Sequence, residues 1–317
     1  MRVLFWGTPD FATAPLRALI GEGFDVVGVV TQPDRAVGRS RSRLMPSPVK
    51  EVALAEGIPV QQPDKPRGDA FLAGLHELAP DVSVVVAYGH ILPRAVIDAP
   101  RLGTLNIHAS LLPKLRGAAP IQAAIREGFD ETGVSIMQMV PALDAGPVIL
   151  AARTPILPDE TAGELALRLS EMGAQALVEA LALLELGHAQ PEPQDESAAT
   201  YAPKLTRETA AVDFARPALE VGRHIRAYDP RPGAWGRVRG TEVKLFGARA
   251  TPRASADVPG AVLAVDGEGM VVACGSGAVR VLAVQPAGKR RLSPLEWAHG
   301  RGVAVGDRFD TTAAPPA

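Results

Sequence analysis

A chain of 317 residues with 47% hydrophobic and 21% charged residues and a net charge of −2 has the makeup of a globular protein with one large or two medium cores. Its apolar runs are short and broken by Gly, Pro or charge, which argues against a membrane-spanning helix, and the opening MRVLFWGTPDF lacks a secretion-signal core. The single cysteine, Cys274, rules out an internal disulfide and lies in the apolar run MVVACG, so a buried thiol in a cytoplasmic protein is expected.

The charge is unevenly spread. Residues 1–200 carry 16 Lys and Arg against 24 Asp and Glu, whereas residues 201–317 carry 17 against 11. A negative first part followed by a positive second part suits a C-terminal region facing a polyanion, and equally a solvated Arg-rich surface.

In chain order, RVLFWG (2–7), DVVGVVT (25–31) and VSVVVAYG (82–89) are apolar without alternation, with helical patterns at 14–21 and 48–56. Continuous apolarity marks strands covered on both faces, so the fold class expected is α/β with a doubly wound, mostly parallel sheet. The turn GTPDF (7–11) lacks the second and third glycines of a dinucleotide-binding turn, and no P-loop is present, which argues against NAD or ATP. The stretch TQPDRAVGRSRSRLMPSPVK (31–50) has no periodicity and holds five cations against one acid. It predicts a loop with Arg35, Arg39, Arg41, Arg43 and Lys50 in water, suited to phosphates or simply solvated.

The stretch GTLNIHASLLPKLRGAAP (103–120) follows. Asn106 and His108 are two apart on a strand-like run, so both leave one face while Leu105 and Ile107 leave the other. Asn106 is the only asparagine in the chain. In GVSIMQMVPALDAGPVIL (133–150) two β-rich runs flank a loop holding Asp144. That acid reads as a turn former, or, if its loop meets the 106–108 strand end, as the partner that orients His108 and stabilises its cation. A long helix is predicted over 161–187, a Pro-rich linker with a domain boundary over 188–205, and a short helix at 218–227. Short strands with Gly-rich turns come last and suggest a small barrel or sandwich.

An amide, an imidazole and a carboxylate, with no Ser or Cys in an elbow turn, suit direct acyl transfer between two bound substrates rather than a hydrolytic triad. Asn106 and protonated His108 would donate to the oxyanion of a tetrahedral intermediate, and Asp144 would keep His108 charged and help relay the proton of the amine. Metal binding is the weaker idea, because His108, Asp144 and His90 have no short-spaced ligand pattern.

The run NIHASLLPKLRGAAPI, together with GTPDF, AYG (87–89) and LDAG (143–146), resembles the signature of the folate-dependent formyltransferases. TQPDR, LMPSPVK, ETGVSIMQM, YAPKL and QPAGK extend the resemblance along almost the whole chain, towards members that act on charged initiator tRNA. The resemblance implies a Rossmann-like catalytic domain over 1–189, a linker over 190–206 and an OB-like β-barrel over 207–313 that grips the tRNA acceptor arm. It implies transfer of the formyl group of 10-formyltetrahydrofolate to the α-amino group of initiator methionyl-tRNA, at translation initiation, by a monomer without a metal or a membrane partner.

Carried over residue by residue, the resemblance makes Asn106, His108 and Asp144 catalytic. It places Ser110, Leu111, Leu112 and Pro113 against the folate, with Val86, Ala87, Tyr88 and Gly89 around the pteridine, and Arg39, Arg41 and Arg43 against tRNA. The chain departs from the family's usual pattern at Ala109, Leu115 and Ala145, which stand in place of Gly, an aromatic residue and Thr, and by one extra residue between Arg39 and Leu44. Two alternatives stay open: an enzyme formylating a small amine such as an amino sugar or glycinamide ribonucleotide, and a non-catalytic RNA-binding protein. The first leaves the Arg loop and cationic barrel unexplained; the second leaves Asn106, His108 and Asp144 unexplained.

Overall fold

The computed structural model describes residues 1–37, 43–251 and 257–310; Arg39 and Arg41 lie outside these, and Arg43 is placed by its backbone alone, in the strand Arg43–Met45. The chain divides into two compact units, the first made of Met1–Gly117, Thr132–Thr154 and Ala166–Tyr201, the second of Ala118–Glu131, Pro155–Leu165 and Ala202–Ala317.

The first unit is built on a seven-stranded sheet in the order Val148–Pro155, Glu131–Gln138, Thr104–His108, Val82–Val86, Arg2–Gly7, Asp25–Val30, Val60–Gln61. Arg2–Gly7 runs parallel to both Asp25–Val30 and Val82–Val86, and Val82–Val86 parallel to Thr104–His108, so these four strands end at one edge of the sheet. Glu131–Gln138 is antiparallel to Thr104–His108, with Ser135 opposite His108. Val3 to Trp6 and Val82 to Val86 are buried, which is why their sequences run apolar without alternation. The one polar side chain of the second run, Ser83, accepts the indole N–H of Trp6 at 3.2 Å.

Helices Thr13–Gly21, Pro48–Ala55 and Ala162–Glu185 lie where periodicity puts them. Pro48–Ala55 starts on Ser47, whose hydroxyl accepts the Lys50 amide at 3.1 Å, with Pro48 in the first turn. A further helix, Asp69–Leu78, goes beyond the predicted elements; its glycine N-cap and Gly74 in mid-helix blunt its signal. The long helix buries Leu169, Leu177 and Leu181, and Gly173 brings its backbone over Ile107, where a Cβ would sit 3.0 Å from Ile107 Cγ2. The Leu105 and Ile107 face of the strand is therefore the covered one, and Asn106 and His108 are turned to the opposite face.

The second unit carries a five-stranded antiparallel sheet in the order Ala234–Val238, Thr241–Thr251, Ala278–Pro286, Gly269–Ala273, Val262–Asp266. Its first two strands are joined through Arg239 and Gly240, both at positive φ, the two-residue turn that matches strand twist. The segment after the helix Pro294–His299 bridges both edges: Asp310 donates its N–H to Arg237 O, and Asp307 O accepts from Val262. Val238 pairs with Phe309 and Ala261 with Arg308, so the sheet closes into the small barrel and not a sandwich. The helix Ala218–Ala227 packs its buried face, with Val221 and Ile225, on Thr241–Thr251. Among the described residues no helix is long and apolar enough to cross a membrane.

Candidate active site

The imidazole of His108, 5% exposed, closes the strand Thr104–His108. Its Nε2 lies 2.9 Å from the carbonyl oxygen of Leu115, and its Nδ1 faces Asp144 Oδ2 at 3.7 Å. The same Asp144 oxygen accepts the N–H of Gly117 at 2.8 Å. A carbonyl oxygen accepts and cannot donate, so Nε2 carries its proton, and Nδ1 is the ring nitrogen that faces the Asp144 carboxylate. Asn106 is half-buried and its carboxamide has no hydrogen bond to another described residue. The sheet register sets Asn106 opposite Val85, at the strand whose end leads into Val86 to Gly89.

Asp144 is presented by a turn that only a close backbone approach allows. A Cβ on Gly146 would run into the carbonyl of Gln138, whose N–H bonds Pro147 O at 2.9 Å. Without that side chain the strands on either side draw together and throw Asp144 towards His108.

The other expected site residues are placed as follows. Ser110 is buried, and its hydroxyl donates to Lys114 O at 2.6 Å, so that side chain is turned into its own loop. Leu111, Leu112 and Pro113 are half-buried, and the Leu112 N–H donates to Ser135 Oγ at 3.1 Å. Val86 and Tyr88 are buried, whereas Ala87 and Gly89, both at positive φ, are exposed. Burial without a hydroxyl partner pushes the Tyr88 phenol up to about 12. The carbonyl of Tyr88 accepts from Thr8 Oγ1 at 3.1 Å and Gln32 Nε2 at 3.0 Å, and a Cβ on Gly89 would lie 2.6 Å from that Gln32 nitrogen. The loop thus exposes backbone at Ala87 and Gly89 with no side chain larger than a methyl group at either position. Among the described residues no cluster of three or more His, Cys, Asp or Glu is arranged to hold a metal.

Composition and spacing did not single out Gln194, Glu196 and Thr200. Gln194 Nε2 donates to the carbonyls of Asp144 and Gly146, and the guanidinium of Arg116, 2% exposed, joins Gln194 to Glu196. The hydrogen bonds that Arg116 donates to Glu196 raise the pKa of the guanidinium and lower that of the carboxyl.

The strand-end amide, imidazole and carboxylate thus stand beside an exposed backbone loop at the sheet's carboxyl edge, where doubly wound folds bind their ligands. Residues 1–181 match the formyl transferase family and residues 204–302 the formyl transferase C-terminal domain, and the chain belongs to the formyl transferase family. Within it, the methionyl-tRNA formyltransferase of Aromatoleum aromaticum is 49% identical over 313 residues, 99% of this chain and 98% of that protein. That of Symbiobacterium thermophilum is 48% identical over 317 residues, 99% of this chain and 97% of that protein. Among solved structures, an N-formyltransferase from Helicobacter canadensis with folinic acid and dTDP-3-aminofucose superposes with a TM-score of 0.66 at 17% identity, over 88% of this chain and 98% of that one. At that identity the likeness is one of fold.

Proposed function

We propose that the chain transfers the formyl group of 10-formyltetrahydrofolate to the α-amino group of initiator methionyl-tRNA. The observation that carries this reading is the Asn106 carboxamide, which bonds no other described residue, beside a His108–Asp144 pair in a chain with methionyl-tRNA formyltransferase relatives along nearly its whole length. The neutral amine attacks the formyl carbon. A new N–C bond forms, the carbonyl oxygen becomes an oxyanion, and the bond to folate N10 then breaks. Asn106 is the donor free to meet the oxyanion. His108, oriented by Asp144, stands beside it and donates directly once its Nε2 exchanges the Leu115 carbonyl for the substrate oxygen. Asp144 is the nearest base for the proton the amine loses, and N10 regains one on leaving.

The exposed peptide edges at Ala87 and Gly89 take the pteridine, with Leu111 to Pro113 along the folate. The basic stretch with Arg39, Arg41 and Arg43 and the cationic second half take the acceptor arm of the tRNA. In this reading residues 1–189 are the catalytic domain of a monomeric cytoplasmic enzyme, and 207–313 its tRNA-gripping barrel.

The test is to incubate the purified chain with 10-formyltetrahydrofolate and charged initiator tRNA, deacylate, and assay for formyl-methionine. Formyl-methionine is the expected product. Transfer only to a small amine, or tRNA binding without transfer, would overturn the reading.

A further inference from the structure

Three segments distant in sequence converge behind Asp144. Glu192 makes a two-bond bridge to the start of strand Val148–Pro155, its carbonyl accepting the Val148 N–H at 2.9 Å and its N–H meeting Val148 O at 2.8 Å. Two residues on, Gln194 Nε2 donates to Asp144 O at 2.8 Å and to Gly146 O at 2.6 Å. The Gln194 Oε1 accepts from Arg116 Nε at 3.1 Å and Nη2 at 2.8 Å. Nη1 donates to Glu196 Oε2 at 2.9 Å, and Nη2 also donates to Glu196 Oε1 at 2.7 Å. Thr200 ties off the strap, taking the Leu115 N–H on Oγ1 at 2.9 Å and the Arg116 N–H on its carbonyl at 2.8 Å.

Both ends of the Gln194 side chain are dictated by their partners. Two carbonyls need donors and a guanidinium needs an acceptor, so a carboxamide fits and a carboxylate would set oxygen against oxygen. What it holds needs holding: Asp144 sits at φ +47, in the left-handed region, and Leu115, whose carbonyl fixes the imidazole, at φ +59.

We propose that Gln194, gripped by Arg116, is a positioning residue that fixes Asp144 against His108, so that residues 192–200 form part of the active site and not merely a connection. This rests on the formyl-transfer reading of the same site. Gln194 touches neither the reacting atoms nor His108; it acts through the backbone of the turn carrying Asp144. The ionisable groups on the loop around Leu115 are Lys114, exposed, and Arg116, closed on Gln194 and Glu196; Ser135 faces His108 from the neighbouring strand. Asp144 is thus the charge beside the ring that a shift of the turn would move.

The experiment compares the parent chain with Gln194→Leu and Gln194→Glu, the latter keeping an acceptor for Arg116 if the former folds poorly. Folding is checked by circular dichroism. The expected result is a kcat lower by about 10- to 10²-fold with KM for both substrates within about two-fold, the signature of lost alignment. In an Asp144→Ala background, Gln194→Leu should lower kcat by less than about two-fold more, because it acts through Asp144. The NMR resonances of the His108 ring, read at one fixed pH, should shift in the variant, because the carboxylate that faces Nδ1 has moved. Parent-like kcat in a folded variant, an equal loss in the Asp144→Ala background, or unmoved His108 ring resonances would each overturn the proposal. If the parent transfers no formyl group, the functional reading fails by itself, and the His108 ring resonances still decide the role of Gln194.

Discussion

His108 Nε2 and the Leu115 carbonyl oxygen are 2.9 Å apart, and this one contact sets the state of the whole site. It commits one ring nitrogen to the backbone and turns the other to Asp144, 3.7 Å away. In the proposed reaction, direct donation from His108 to the oxyanion costs an exchange of partners, whereas the Asn106 carboxamide starts with none among the described residues.

The division of labour that follows can be measured at Asn106. Asn106→Ala should lower kcat by about 10²- to 10³-fold, the usual effect of deleting one oxyanion donor, with little change in KM for folate or tRNA. Asn106 is only half-buried and its carboxamide bonds no other described residue, so thermal stability should stay near that of the parent. Turnover like the parent's in Asn106→Ala would move the oxyanion role to His108.

Gly146 is where stability and catalysis meet. Gly146→Ala forces the Cβ against the Gln138 carbonyl, so the strands must separate at the turn that presents Asp144. An overpacking cost of about 1–3 kcal/mol is expected, read as a lower midpoint in thermal or urea unfolding. The fall in kcat should exceed the few per cent of unfolded protein that such a loss produces. An unchanged midpoint with parent kcat would show that the turn accommodates the methyl group.

How legible this was in the sequence depends on which atoms carry each contact. The strand end with Asn106 and His108 could be read because alternation of side chains is fixed by the pleat, and the buried strands because a short apolar run without alternation needs cover on both of its faces. The Leu115 carbonyl could not, since every residue has one and no side chain announces its use. Gln194 was equally silent: it lies among prolines and acids in a stretch without period, and its meaning comes from two carbonyls some fifty residues earlier in the chain. The helix Asp69–Leu78 was masked by its own glycines.

A second network stands at the root of the basic stretch. Lys50 Nζ donates to both Asp34 oxygens at 2.9 and 2.8 Å and to Gln62 Oε1 at 2.7 Å. Gln62 Nε2 returns to Asp34 Oδ1 and to Gln32 O, each at 2.8 Å. The hydrogen bond from Lys50 holds the Asp34 carboxyl below the ordinary carboxylate range, so the clasp stays charged at neutral pH. If the basic stretch binds tRNA as proposed, Asp34→Ala, which breaks this clasp between residues 34, 50 and 62, should raise KM for charged tRNA by about ten-fold, with kcat nearly constant. An unchanged KM for tRNA would separate the clasp from tRNA binding.

The second unit carries a pH dependence of its own. His224, on helix Ala218–Ala227, has a sealed Nε2 with no partner, stacks near Tyr228 at 4.7 Å between ring centroids, and is pushed down to about 4, mainly by burial. Above its ordinary value near 6.5 the ring is neutral in both the folded and the unfolded chain, so it contributes no pH dependence there. As pH falls from 6.5 towards 4 the unfolded chain binds a proton that the folded chain refuses, and stability is lost. The slope reaches about 1.4 kcal/mol per pH unit, with an upper total of about 3 kcal/mol. The carboxyls held low by hydrogen bonds, such as those of Asp81, Asp266 and Glu296, act in the same direction but only nearer their ordinary values around 4. Urea unfolding of the parent at about pH 7.5 and about pH 5 should therefore show a large drop in midpoint for the transition of this unit. His224→Phe should remove most of the drop. A drop of equal size in that variant would place its origin in other groups.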